Sequence, residues 1–117
     1  MKTGTLKDKS YAFAVKVVKV GYQLIEKKEF ILSKQLIRSA TSIGANAEEA
    51  NGAYSKKDFH HKISISYKEG REARYWIMLL RDTDWLEKEQ AQELLNDLEE
   101  LLRMMGASLR TLRNQSE

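Results

Sequence analysis

The sequence predicts an all-α fold, an antiparallel up-down-up-down four-helix bundle, on three observations. The 117 residues contain no proline, and of six glycines only Gly52 lies beside a polar cluster suited to ending a helix cleanly. A chain of this size built on strands spends several of both residues on turns. Apolar residues recur at spacings of three and four in four separate segments, and the short connections between them make successive helices antiparallel neighbours. The length suits one domain, residues 1–117, with a real core.

The first segment, about 10–27, sets Phe13, Ala14, Val17, Val18, Val20, Gly21, Leu24 and Ile25 on a broad apolar face, with Lys16, Lys19, Gln23 and Lys27 polar. It ends in the charged turn Glu26-Lys27-Lys28-Glu29. Phe30, Ile31 and Leu32 are expected to tuck under the bundle, with Ser33 as N-cap of the next helix. Over 33–51, Leu36, Ala40, Ile43, Ala47 and Ala50 step by four and three, with Tyr54 continuing the line, and Asn51-Gly52 is a stop signal. Ser55-Lys56-Lys57-Asp58 has the spacing of a capping box with aspartate in place of glutamate. The third helix, 56–82, holds one seam through Phe59, Ile63, Ser66, Gly70, Ala73, Ile77 and Leu80. Trp85 and Leu86 make the last connection. The fourth helix, about 87–112, carries Ala91, Leu94, Leu98, Leu101, Met105 and Leu112 on one stripe, and Asn114 to Glu117 are expected to fray.

With no cysteine, disulfides, thiolate metal sites and cysteine nucleophiles are excluded. No apolar run approaches a membrane span, and the N-terminal lysines lack the apolar segment of a targeting signal. The chain is expected to be soluble and cytoplasmic, with no membrane partner. A paired-metal bundle site needs Glu-x-x-His from each of two helices; here Asp58-x-x-His61 is a single approximation, and His60 and His61 point about 100° apart on a helix. Ser42-Ile43-Gly44-Ala45-Asn46 lacks the motif and the preceding strand of a phosphate loop. The expectation is therefore no enzyme, no catalytic residue, no metal and no cofactor.

The formal net charge is only +3, but its distribution is lopsided. Residues 1–38 carry nine basic side chains against Asp8, Glu26 and Glu29, whereas residues 83–102 carry Lys88 against seven carboxylates, among them Glu93, Asp97, Glu99 and Glu100. Either the basic segment attracts phosphate, or the two segments attract each other across neighbouring helices. Candidate nucleic-acid contacts are Lys9, Lys16, Lys19, Lys27, Lys28, Arg71, Arg74 and Arg81, with Lys2 and Lys7 beside them. If carboxylates of the fourth helix occupy the lysines of the first, this reading loses that surface.

A second stripe on the second helix, Ser39, Ser42, Asn46, Glu49 and Ala53, is short-chained and lets another backbone approach. The third helix has a matching flank at Ile65, Glu69, Glu72, Trp76 and Leu79. A subunit interface is the functional reading, with Trp76 as anchor and Arg38, Ser39, Ser42, Asn46, Glu49, Glu72 and Leu79 around it. A wide core with a solvated rim is the plain alternative.

Phe30-x-Leu32, Gln35-Leu36-x-Arg38-Ser39-Ala40-x-Ser42-Ile43-x-Ala45-Asn46, Glu49, Ser55-x-x-Asp58-Phe59 and Glu72-Ala73-Arg74-Tyr75-Trp76-Ile77 resemble the bacterial 23S ribosomal RNA intervening-sequence proteins, from Phe13 to about Leu112. Where that family reads Asn-Ile-Ala-Glu-Gly, this chain has Asn46-Ala47-Glu48-Glu49-Ala50, so its second helix is expected to run on to Asn51-Gly52. The resemblance implies a four-helix bundle assembling into a homopentameric ring. It also implies kinship with the accessory protein of diversity-generating retroelements, a barrel-shaped pentamer that binds nucleic acid and a reverse transcriptase. The expected function is a homo-oligomer that binds nucleic acid, RNA favoured over DNA; the alternative is a scaffold docking a polymerase-type protein without touching nucleic acid.

Overall fold

The computed structural model describes residues 5–116, with side chains through Asn114. Among these residues there are four helices and no strand: α1 Leu6–Glu26, α2 Leu32–Asn51, α3 Lys56–Asp82 and α4 Lys88–Ser116. They form a helical bundle in which α1 packs on α2 and α4, and α3 packs on α2 and α4. The bundle measures 48 × 27 × 21 Å.

Two helices begin on the same device. The Ser55 hydroxyl accepts from the Asp58 N–H at 3.0 Å, and Thr5 does the same for Asp8 at 3.0 Å. Each satisfies one of the N–H groups a helix start leaves open and places an aspartate in the positive first turn. Thr5-x-x-Asp8 therefore starts α1 four residues before the expected Ser10. Ser10 is buried instead, its hydroxyl donating to the Lys7 carbonyl.

The start of α2 differs from expectation. Ser33 is not the cap: Ile31 occupies that position without a side-chain bond. Glu29, 7% exposed, accepts from the Ser33 N–H at 2.7 Å through its carboxylate, and its carbonyl accepts from the Ser33 hydroxyl at 2.6 Å. With that cap reaching in from the preceding turn, Phe30 and Ile31 point outward, 57% and 76% exposed, and only Leu32 packs against the core. Tyr54 also lies outside, past the end of α2. Helix α2 runs through Ala50 to Asn51 with Gly52 as its C-cap, and α4 continues through Ser116; Glu117 lies outside the described residues.

The core joins Phe13, Val17 and Leu24 of α1, Leu36, Ala40 and Ile43 of α2, Ile63, Ala73, Ile77 and Leu80 of α3, and Leu94, Leu98, Leu101 and Met105 of α4. The small residues allow close approach. A Cβ on Gly21 would lie 2.5 Å from the Ile37 side chain, and one on Gly70 would lie 2.9 Å from Leu102. Buried Ser66 ties α3 to α2 by donating to the Ile43 carbonyl at 2.7 Å. No buried side-chain polar atom among the described residues lacks a partner, as a well-specified interior requires.

Candidate nucleic-acid interface

Phosphate recognition needs cationic groups that are exposed and not already neutralised. Most of the lysines of α1 fail the second condition. Lys16 Nζ lies 2.7 Å from Asp97 and 3.0 Å from Glu93, both on α4. Lys9 pairs with Glu100 of α4, and Lys7 with Glu48 of α2 at 3.2 Å. The hydrogen bond from Lys9 draws the Glu100 carboxyl below its ordinary range, and the bonds to Asp97 and Glu93 raise the Lys16 ammonium above its own. The two charge blocks of the sequence thus face each other. Lys19, Lys27 and Lys28 remain exposed on α1 and the turn after it; Lys2 lies outside the described residues.

The three arginines go to two places. Arg81 pairs with its neighbour Asp82 at 2.8 Å. Arg71 and Arg74 face a groove of about 750 Å³ between α3 and α4, and there they meet Arg103 and Arg110, which reading the chain in charge blocks overlooks. Tyr67 and Tyr75 line the same groove, with Met78, Leu102, Gly106 and Ala107 as its apolar part. Glu99 is the one carboxylate in the lining, and it is held by Arg74 Nε at 2.8 Å. Arg71, Arg103 and Arg110 take part in no ion pair among the described residues, although Arg103 exerts a coulombic pull on Glu100. The positions share faces: 67, 71, 74, 75 and 78 on α3, and 99, 103, 106 and 110 on α4, step by helical intervals. A legible signal existed, since residues 103–113 carry Arg103, Arg110 and Arg113 and no acid.

The expected subunit face fares differently. Ser39 is a correction: it is fully buried, its hydroxyl donating to the Leu36 carbonyl, because it lies on the flank of α2 where Arg38, Ile43 and Glu49 bond to α3. Asn46 donates to the Ser42 carbonyl at 2.8 Å, and Lys62 pairs with Glu49 at 3.0 Å. Arg38 bridges Glu69 and Glu72 of α3, and Trp76 Nε1 donates to Glu72 at 3.1 Å. Arg74 lies apart from this cluster and pairs with Glu99 of α4. Trp76 is half-buried against the core and Leu79 half-buried beside it. These polar groups are satisfied within one subunit. The larger exposed apolar surface is on α1, where exposed Tyr11, Val15 and Tyr22 share a face with half-buried Val18; Tyr11 is 72% and Tyr22 61% exposed.

Among the described residues no three His, Asp or Glu side chains gather into a metal-binding group, and no helix is long and apolar enough to cross a membrane.

A family model for the 23S rRNA-intervening sequence protein matches residues 4–107. The fold is similar to the crystal structure of a protein of unknown function from the S23 ribosomal protein family of Bacteroides thetaiotaomicron VPI-5482. The TM-score is 0.88 at 42% identity, over 90% of this chain and 98% of that one. No curated protein shows a significant match.

Proposed function

This chain belongs to the 23S rRNA-intervening sequence protein family, and from that premise we propose that it is a non-enzymatic, cytoplasmic nucleic-acid-binding protein acting through the α3–α4 groove, with RNA the favoured ligand. The observation that carries the reading is the convergence of Arg71, Arg74, Arg103 and Arg110 on a groove whose only carboxylate is already paired. Arginine presents a planar donor fork suited to phosphate, and tyrosines between the arginines offer faces to bases. A titration of labelled RNA at low ionic strength tests this. Binding that weakens steeply with added salt supports it, and no association even at low salt sinks it.

We further propose an antiparallel bundle that assembles into a homo-oligomeric ring, with five copies as the resemblance implies. Pairings in which residue numbers rise along one helix as they fall along its neighbour support the antiparallel sense: Lys9 with Glu100 and Lys16 with Glu93, or Arg38 with Glu69 and Lys62 with Glu49. The exposed Tyr11, Val15 and Tyr22, with half-buried Val18 on the same face, support a covered face. Assembly would repeat the groove around a ring and turn modest contacts into avid ones. Light scattering that returns only the 13.5 kDa chain at micromolar concentration would refute this part. A scaffold that docks a polymerase-type protein is the second reading, favoured by Phe30, Ile31 and Trp85 standing exposed in the interhelix connections. Retention of RNA binding by purified protein separates the two.

A further inference from the structure

We propose that the α3–α4 groove takes a single strand, whose bases stack on Tyr75 and lie over Gly106 while Arg71, Arg103 and Arg110 hold the phosphates. The inference rests on the nucleic-acid reading above and specifies its ligand.

Three observations lead to a strand with its bases exposed and away from a duplex. First, the arginines are interleaved with Tyr67, Tyr75, Met78 and Leu102. A duplex offers mainly phosphates along its outside and leaves such apolar surface unused, whereas unstacked bases need it. Second, Tyr75 is 59% exposed and yet positioned, its ring lying edge-on to Trp76 at 5.1 Å between centroids and 75° between planes. Trp76 is itself fixed by its bond to Glu72 and by the core. The tyrosine is thus a platform held from behind with much of its surface open.

Third, Gly106 has no packing reason to be glycine. A Cβ there would sit 3.5 Å from the Arg110 guanidinium and 3.8 Å from the Tyr67 ring, which are ordinary contacts, unlike the crowding at Gly21 and Gly70. Within a helix, alanine is the more stable choice. Its absence leaves the groove floor flat between Tyr67 and Arg110, where a base or sugar can approach the α4 backbone. From Tyr67 to Met78 the groove runs eleven residues, about 16 Å at 1.5 Å each. That is room for roughly five bases at a stacked spacing of about 3.4 Å.

The test measures fluorescence anisotropy of labelled mixed-sequence twelve-nucleotide RNA and DNA, single-stranded and as duplexes, with the 117-residue chain and four variants. Wild type is expected to bind at least one of the single strands about ten-fold tighter than either duplex, and the ratio of the two identifies the sugar preferred. Tyr75→Ala should lose about ten-fold on the single strand, in the range of one stacked base, while Tyr75→Phe keeps wild-type affinity. Gly106→Ala should raise Tm yet weaken single-strand binding, a split that a purely structural glycine does not give. Arg103→Glu should abolish binding. If duplex binds as tightly as single strand and Tyr75→Ala changes nothing while Arg103→Glu still abolishes binding, the single-strand inference falls and the nucleic-acid reading stands. If Arg103→Glu leaves binding intact, both fall.

Discussion

Helix α4 is shared by two surfaces of opposite character. Along its first half, Glu93, Asp97 and Glu100 meet Lys16 and Lys9 of α1. Along its second half, Arg103 and Arg110 meet Arg71 and Arg74 of α3 across an open groove. The first surface is rich in charge and self-satisfied; the second gathers cations that have one carboxylate, Glu99, among four of them. The proposed function rests on the charge that remains after intramolecular pairing. The most basic stretch of the sequence spends Lys7, Lys9 and Lys16 on partners within the chain.

The contrast can be broken from either side. The largest effect is expected from Arg103→Glu, which should abolish RNA binding even at low salt, because a contact is lost and a repulsion added. Removing the acids opposite α1, with Glu93→Gln, Asp97→Asn and Glu100→Gln together, should release Lys9 and Lys16 and tighten low-salt binding roughly ten-fold. Unchanged affinity in that triple variant would mean α1 lies out of the ligand's reach. Glu99→Gln should tighten binding about three-fold by freeing Arg74, read in the same titration. Lys16→Ala should leave RNA affinity within about two-fold and cost about 0.5 kcal/mol or less in urea unfolding, as exposed ion pairs do.

The smallest effect is the pH response of the α1–α4 contacts. The Glu100 pKa is lowered in the folded protein by its bond to Lys9, so its stabilisation is present above the unfolded carboxyl value and lost as pH falls through the folded one. Lys16 is raised by Asp97 and Glu93, so its share persists below the ordinary lysine value and is lost as pH climbs through the raised one. The Tm difference between wild type and Glu100→Gln should therefore be present at neutral pH and vanish in acid.

The helical architecture was legible because each helix carries its own apolar period, and one bundle core satisfies all four. Ser55-x-x-Asp58 reads directly as a helix start, and Thr5-x-x-Asp8 carries the same message, though the lysines around it draw attention to charge. The cap supplied by Glu29 was not legible, since a carboxylate reaching Ser33 from four residues upstream obeys no standard cap position. Nor was the depth of Ser39: a small hydroxyl at helical spacing fits a partner face or a packed core equally well, and the Leu36 carbonyl that accepts from it comes with the helix itself. The groove was half legible. Arg71 and Arg74 were visible as candidates, but Arg103 and Arg110 follow an acidic block, and only the placement of α4 against α3 joins the four.

The salt dependence of RNA affinity tests the central claim most directly, with wild type, Lys16→Ala and Arg103→Ala titrated over a series of salt concentrations. A wild type that binds with a steep negative slope, a slope shallower by about one unit in Arg103→Ala, and an unchanged slope in Lys16→Ala is the predicted outcome. A slope reduced by Lys16→Ala and untouched by Arg103→Ala would contradict the account, because the ligand would then be reading the surface whose lysines are paired within the chain.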